Sequence, residues 1–203
     1  MKESEVKNKY ELYLAKVASR KDELDNFCRM LHNETNWLTA PASTRFHLSK
    51  DGGLLEHSIN VTDQLFILRD TLYKDIPDES CVIVGLFHDV GKVGLPGKPY
   101  YIANDNDWER EKRGIMYRTS PGLVRMPIAQ RSLYLMAKYI SLTDTEAQAI
   151  LFHDGQYIDE NSGIAHNEEP LTVLVHYADY WACHIIEGGF KHRKETVYKV
   201  SGA

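Results

Sequence analysis

Histidine and aspartate recur at four places in segments that are otherwise apolar. They are His57, His88 with Asp89, His153 with Asp154, and His176 with Asp179. An ionised carboxylate in a dry interior is costly unless it is paired with a cation or bound to a metal ion. Taken singly, each aspartate could pair with an arginine or cap a helix, and each histidine could be a satisfied core side chain. Taken together, two of the imidazoles and the two carboxylates Asp89 and Asp179, on the inward faces of three helices, are a ready ligand set for a divalent cation.

The apolar residues recur with helical periodicity, which places these side chains on helices. From residue 54 onward the apolar steps of three and four put His57 on the buried face of a helix. The run CVIVGLF is apolar nearly all round and predicts a central helix with Pro77 in its first turn and its end near Gly91. Further helices are predicted at residues 4–31 (one helix or a pair), 128–139, 143–155 and 170–188. Thr143 and Glu146 have the spacing of a capping box.

The segments between these helices predict a long loop and a small β element. Residues 39–53, TAPASTRFHLSKDGG, contain a proline and paired glycines that interrupt any helix. Residues 98–120 have no helical stripe, and their aromatic and β-branched clusters around NDND and RG predict a small hairpin. The sequence therefore predicts an all-α fold with a small β-hairpin insertion.

Length and composition favour one domain and a small ligand. The chain has 203 residues, a formal net charge of -5 and no linker rich in Pro, Gly or Ser. We expect a single domain over residues 1–203, with an N-terminal helical segment at 1–40 and a core at 45–190. The acidic balance argues against long nucleic acid as a partner, because phosphate affinity requires a concentrated basic surface.

Cysteine usage and hydropathy predict a reduced protein without membrane partners. Cys28, Cys81 and Cys183 are far apart and form no CxxC motif, so we expect buried thiols. The N-terminus lacks the apolar core of a signal peptide, and no run is long enough for a membrane span. The expected location is the cytoplasm. The sequence leaves open whether the chain forms a homo-oligomer.

The motifs GGLLEHS, FHDVGK and VHYADYW, in this order, resemble those of the HD-domain superfamily of metal-dependent phosphohydrolases. The resemblance covers roughly residues 45–186 and implies an HD-domain helical bundle. It implies that His57, His88, Asp89 and Asp179 bind a divalent metal ion. Mn, Fe, Co, Ni, Zn or Mg could fill this role, and the sequence does not choose among them.

The resemblance also implies a reaction, in which a metal-activated water hydrolyses a nucleotide or another small phosphate ester or anhydride. The enzyme would be a nucleotidase or a phosphodiesterase. Asp89, Lys92 and His153 are the expected catalytic residues. Candidate phosphate contacts are Lys98, Arg118, Arg125 and Arg131. Residues 100–127, rich in Tyr, Trp and Arg, are expected to cover the site as a lid or wall.

Three questions remain open at the level of sequence. HD proteins with two metal ions have further histidines, but this chain has Arg131 and Ser132 where another ligand is expected. One metal ion is therefore favoured, with His153 as an orienting residue, a general acid or base, or a weak second ligand. The alternatives to a phosphohydrolase are an HD-fold di-iron oxygenase and a non-catalytic nucleotide-sensing module.

Overall fold

The computed structural model describes residues 1–188 and is mostly helical. This confirms the predicted all-α class with a small antiparallel β element. The predicted core boundary at residue 190 lies outside the described residues. The helices are α1 (Glu3–Leu14), α2 (Lys21–Glu34), α3 (Gly53–Leu72), α4 (Asp78–Phe87), α5 (Asp107–Arg113), α6 (Ile128–Met136), α7 (Asp144–Phe152) and α8 (Pro170–Trp181). Between residues 1 and 188, no helix is both long and apolar enough to cross a bilayer.

Helix α3 is the centre of the bundle, with α4 and α8 packed against it and α1 alongside. Helix α7 packs against α6 and α8 and completes the core. The α3–α4 contact is close because Gly85 has no side chain, and a Cβ there would lie 2.6 Å from Thr62 Oγ1. The apolar run of α4 is buried throughout, as its composition predicts.

The predicted β element is real, but it is not a tight hairpin. Strands β1 (Tyr101–Ala103) and β2 (Tyr117–Thr119) pair antiparallel, and α5 lies between them. The sequence prediction missed α5 because the helix has no buried residue and hence no apolar stripe. Local signals define it instead: the Asn106 side chain accepts from Glu109 N at its start, and Gly114 ends it with a φ of 64°.

Several predicted helix boundaries require correction. Helix α4 ends at Phe87, and the chain continues as a 3₁₀ turn over Val90–Val93, so the predicted end near Gly91 is wrong. Pro77 is the N-cap of α4 and does not lie in its first turn. Helix α6 ends at Met136, three residues before the predicted end. The predicted 4–31 segment is a pair of helices, and the capping box at Thr143 and Glu146 is present.

A buried ion-pair network connects the N-terminal helices to the core. Arg20, the N-cap of α2, donates to both oxygens of Glu146 at 2.6 and 2.7 Å and to Glu79 at 2.6 Å. The Glu146 side chain is completely buried. Burial raises the pKa of Glu146, but the Arg20 hydrogen bonds outweigh it and hold the pKa below its usual value. Glu146 is therefore ionised in the folded state, and it links α2 to α7.

Replacing Glu146 by glutamine tests this link. We expect E146Q to lower the free energy of unfolding at pH 7 by about 2 kcal/mol, since charged hydrogen bonds to Arg20 are lost. The folded-state pKa is depressed, so the stabilisation exists above the usual glutamate pKa and disappears as pH falls below it. Urea unfolding from pH 7 down to pH 3 should show the difference between E146Q and wild type shrinking. A stability difference that stays constant from pH 7 to pH 3 would contradict an ionised Glu146 in the folded state. The control is Glu11→Gln, a substitution at an exposed position of α1.

Candidate metal centre

Five acidic and imidazole side chains from four helical elements converge inside the bundle. His57 lies in α3, His88 and Asp89 directly follow α4, His153 directly follows α7, and Asp179 lies in α8. The three histidines are at most 1% exposed and Asp89 is 4% exposed. Each His-Asp pair comes at the C-terminal end of an apolar helix, which carries the polar side chains into the core. The structure thus brings together all four residues predicted as ligands, with His153 beside them.

The contacts between nitrogen and oxygen atoms are short but are not ordinary hydrogen bonds. His57 Nε2 lies 3.2 Å from Asp179 Oδ1 and 3.5 Å from Asp89 Oδ2. Asp89 also lies 3.8 Å from His88 Nε2 and 3.6 Å from His153 Nε2. Donor atoms of His57, His88 and Asp179 lie within 4.8 Å of one another, as do those of His88, Asp89 and His153.

The Nδ1 atom of each imidazole points away from the centre and already has a partner, which fixes how the ring faces the centre. His88 Nδ1 donates to the backbone carbonyl three residues earlier at 3.0 Å, and His153 Nδ1 does the same at 2.8 Å. A carbonyl only accepts, so these Nδ1 atoms carry hydrogen and, in the neutral rings, Nε2 presents a lone pair. His57 Nδ1 faces both Glu187 oxygens, at 3.1 and 3.2 Å.

This arrangement fits a divalent metal ion. Among the described residues, the buried Nε2 atoms of His57 and His88 have no hydrogen-bond partner. A lone pair directed at a carboxylate is repulsive unless a positive charge lies between them. Metal–ligand bonds of 2.0–2.2 Å place neighbouring donor atoms about 3–3.5 Å apart, near the separations found here. Two imidazoles and two carboxylates are a donor set suited to a transition metal.

The pKa values show which side chains of the cluster carry a proton when no metal ion is bound. Burial brings the pKa of His88 down to about 4. Burial also lowers the pKa of His57 and His153, but nearby carboxylates outweigh it, raising the first well above its usual value and the second to about 9. Burial raises the pKa of Asp179, yet the His57 contact holds it far below the usual range. Metal binding therefore has to displace a proton from His57, and from His153 where that ring is also a ligand, but not from His88.

The turn after Asp89 is fixed by close contact with α6. Gly91 N donates to Ser132 Oγ at 2.8 Å, and the Arg131 guanidinium donates to Gly91 O at 3.1 Å. A Cβ on Gly91 would lie 2.3 Å from the Ile128 carbonyl oxygen, so only glycine fits without moving α6. Ser132, at a position where a further ligand was considered, instead holds the turn that carries Asp89.

The predicted phosphate contacts lie in different surroundings. Arg131 is 1% exposed and also donates to Met126 O at 2.9 Å, so its described contacts are structural. Arg118 is exposed and pairs with Asp105 and Glu109 on the surface. Lys98 and Arg125 are exposed. Of the predicted cations, Lys92 alone has a described ion pair with Asp89, from Nζ to Oδ2 at 2.5 Å.

The segment predicted to be a lid forms one wall of a cleft. The cleft has a volume of about 1150 Å³, and the segment contributes Tyr100, residues 119–121 and residues 123–127 to its lining. Asp154, the neighbour of His153, also lines the cleft. Trp108, on α5, is 60% exposed, and Tyr117 donates to Asp51 at 2.9 Å. Whether the segment covers a substrate stays a prediction.

Sequence analysis missed three side chains beside the cluster: His47, Cys183 and Glu187. Glu187 accepts from Asn60 at 2.9 Å and contacts His57 and His47. A signal was available, because Cys183 and Glu187 follow Asp179 at steps of four. His176, in contrast, lies outside the cluster and donates from Nδ1 to the His153 carbonyl at 2.8 Å.

Replacing Asp89 by asparagine tests the metal assignment. We expect D89N to weaken Mn²⁺ binding at least about 100-fold, because Asp89 contacts three imidazoles of the cluster. Mutating a residue that only hydrogen-bonds to a metal ligand already lowers metal affinity about 10- to 100-fold. Calorimetric titration would measure this, with circular dichroism to verify folding. Wild type should gain about 2.7 kcal/mol of stability when Mn²⁺ is at 100 times its Kd, and D89N, which binds at least about 100-fold more weakly, should gain at most about 0.4 kcal/mol at the same concentration. Equal affinity in D89N would contradict the site; exposed Asp159→Asn is the control.

Comparison of the chain with protein-family models, with curated proteins and with solved structures gives no match.

Proposed function

We propose that this chain is a metal-dependent phosphohydrolase of the HD-domain type, acting on a nucleotide or another small phosphate ester or anhydride. One observation carries the proposal. The buried, unpartnered Nε2 atoms of His57 and His88 face Asp89 and Asp179, an arrangement that a divalent cation would complete. The order of the sequence motifs, GGLLEHS, FHDVGK and VHYADYW, supports the same conclusion.

His57, His88, Asp89 and Asp179 would hold the metal ion. When bound, the ion acts as a Lewis acid that activates water and polarises a phosphoryl oxygen. The chain's contribution is to hold the ligands on packed helices and to fix their tautomers through Nδ1. It also keeps water out of the rear of the centre, where His57 and His88 are fully buried.

Lys92 and His153 are the groups placed to act on the substrate. The Lys92 ammonium, 11% exposed and in contact with Asp89, would neutralise charge on the phosphoryl group. His153 Nε2 lies 3.6 Å from Asp89 Oδ1. The pKa of His153 is about 9, so both ring nitrogens carry a proton at neutral pH before a metal ion binds. In the proposed reaction His153 transfers a proton at Nε2 or serves as a further ligand.

The group of His88, Asp89 and His153 favours a second candidate, a binuclear centre with oxygenase chemistry. His88, Asp89 and His153 would help to hold a second iron ion, and two neighbouring iron ions would supply oxygenase chemistry. Iron-reconstituted protein with a mixed-valence electron paramagnetic resonance signal would favour this function over phosphate hydrolysis.

A substrate screen tests the phosphohydrolase directly. Wild type should hydrolyse one or more of a panel of nucleoside mono- and triphosphates, cyclic nucleotides and bis(p-nitrophenyl) phosphate, with Mn²⁺, Co²⁺, Ni²⁺, Zn²⁺, Fe²⁺ or Mg²⁺. The products measured are phosphate or pyrophosphate, p-nitrophenol and, for the cyclic nucleotides, the nucleoside monophosphate. D89N should abolish the activity. Full activity in D89N would refute the proposal.

Lys92→Ala separates substrate chemistry from metal binding. We expect kcat to fall at least about 100-fold, the usual loss for one charge-stabilising group. Metal content should persist, because Lys92 is not a ligand. Steady-state kinetics with inductively coupled plasma analysis of the same sample would measure both. Unchanged kcat with full metal content would exclude this role, and Lys74→Ala, an exposed lysine, is the matched control.

The two arginines of the cleft should respond differently. Arg131→Gln should lower the free energy of unfolding by about 2 kcal/mol, since it removes two charged hydrogen bonds, one to the Met126 carbonyl and one to the Gly91 carbonyl, which also accepts from Gly94 N. Arg125→Ala removes an exposed charge, so we expect unchanged stability and a KM raised several-fold if Arg125 contacts the phosphate. Urea unfolding and kinetics on both variants separate these roles. A raised KM and unchanged stability for Arg131→Gln would reverse the structural assignment.

A further inference from the structure

A second set of metal-type donors lies on the Nδ1 side of the His57 ring, opposite the nitrogen that faces Asp89. His47 comes from the loop before α3. Cys183 and Glu187 come from the end of the chain's last described helix. Donor atoms of these three residues and His57 all lie within 4.8 Å of one another. The proposed hydrolytic centre uses only His57 from this set.

The separations suit a tetrahedral ion with a sulfur ligand. Cys183 Sγ lies 3.6 Å from His47 Nδ1 and 3.7 Å from Nε2. Metal–sulfur bonds of 2.3 Å and metal–nitrogen bonds of 2.0–2.1 Å place sulfur and nitrogen about 3.5 Å apart in a tetrahedral site. His47 Nδ1 and Glu187 Oε2 are closer, at 2.5 Å, as expected for atoms joined by a proton that a metal ion would displace.

Burial makes the Glu187 carboxylate a stronger candidate than a surface acid. Its side chain is 1% exposed, whereas His47 is 13% exposed and leaves a route from solvent. Its oxygens face His47 Nδ1, His57 Nδ1 and Asn60 Nδ2, all within 3.2 Å. The carboxylate is therefore fixed in a nearly closed environment, where a negative charge requires a positive partner.

A change of helix type aligns the donors. Helix α8 continues into a π-helical segment, Ala182–Ile186, in which Glu187 N donates to Ala182 O at 2.9 Å. In an α-helix, a residue four positions further along the chain lies about 40° past one full turn. The wider π turn stops short of a full turn over the same step, which offsets the overshoot. Asp179, Cys183 and Glu187 therefore lie along one face, and Cys183 Sγ is 3.3 Å from Asp179 Oδ1.

We infer that His47, Cys183 and Glu187 form a second cation site, for a borderline-soft divalent ion such as Zn²⁺ or Co²⁺, separate from the centre at Asp89. The ion replaces the thiol proton of Cys183, which leaves to solvent, and it displaces the proton that His47 Nδ1 shares with Glu187, which moves to Nε2 so that the ring stays neutral. Glu187 then binds the ion through Oε2 and still accepts from His57 Nδ1 through Oε1. The second site thereby influences how firmly His57 is held toward Asp89.

Cobalt spectroscopy tests this site without any activity assay. The full chain is freed of metal with a chelator and titrated with Co²⁺ under reducing conditions. A thiolate ligand gives an intense near-ultraviolet charge-transfer band, which nitrogen and oxygen ligands lack. We expect the band in wild type and in D89N, and its loss in Cys183→Ser. His47→Ala should weaken the Co²⁺ affinity of this site at least tenfold.

The outcomes separate this inference from the proposed hydrolase. Wild type that binds Co²⁺ without a thiolate band overturns the second site and leaves the Asp89 centre untouched. A band that persists in Cys183→Ser also overturns it, because Cys28 or Cys81 would then be the ligand. A band lost in D89N as well as in Cys183→Ser would show one shared site and contradict a separate one. Circular dichroism of each variant verifies that it is folded.

Discussion

Acceptor atoms face one another in the interior of this bundle, and that arrangement requires a positive charge between them. Asp89 and Asp179 contribute carboxylates, and His57 and His88 direct Nε2 atoms at them. Among the residues that the structure describes, Asp89, Asp179 and Glu187 contribute three negative charges and Lys92 offsets one of them, so two remain to be balanced when the imidazoles are neutral. One divalent ion would balance them, and in its absence protons on the imidazoles take its place.

The packing of the helices fixes this geometry and is costly to alter. Gly85 lets α4 approach α3, and Gly91 lets the turn after Asp89 approach α6. On the opposite side, Gly155 has a φ of 65°, and a Cβ there would lie 2.4 Å from the His176 ring. His176 in turn supports the backbone of His153. At these glycines the backbone therefore packs directly on a neighbouring element and tolerates little displacement. The donor atoms are held in place before the ion binds, so little binding energy is lost in ordering them.

The sequence predicted those parts of the site that lie on regular apolar helices. His57, His88, Asp89 and Asp179 stood out because polar side chains interrupt buried stripes, and burial is readable from periodicity. His47 lies in a loop without periodicity, and the π turn that aligns Glu187 has no sequence signature. Helix α5 was missed because it is exposed. Arg131 resembled a phosphate ligand, yet its neighbours are carbonyls that only tertiary structure brings to it.

The most direct test of the metal centre is anomalous X-ray diffraction from crystals grown with Mn²⁺. Data collected on both sides of the manganese absorption edge should give a difference peak bounded by His57, His88, Asp89 and Asp179. Hydrogen-bonded, metal-free side chains at those four positions in crystals holding excess Mn²⁺, with no peak among them, would contradict the account.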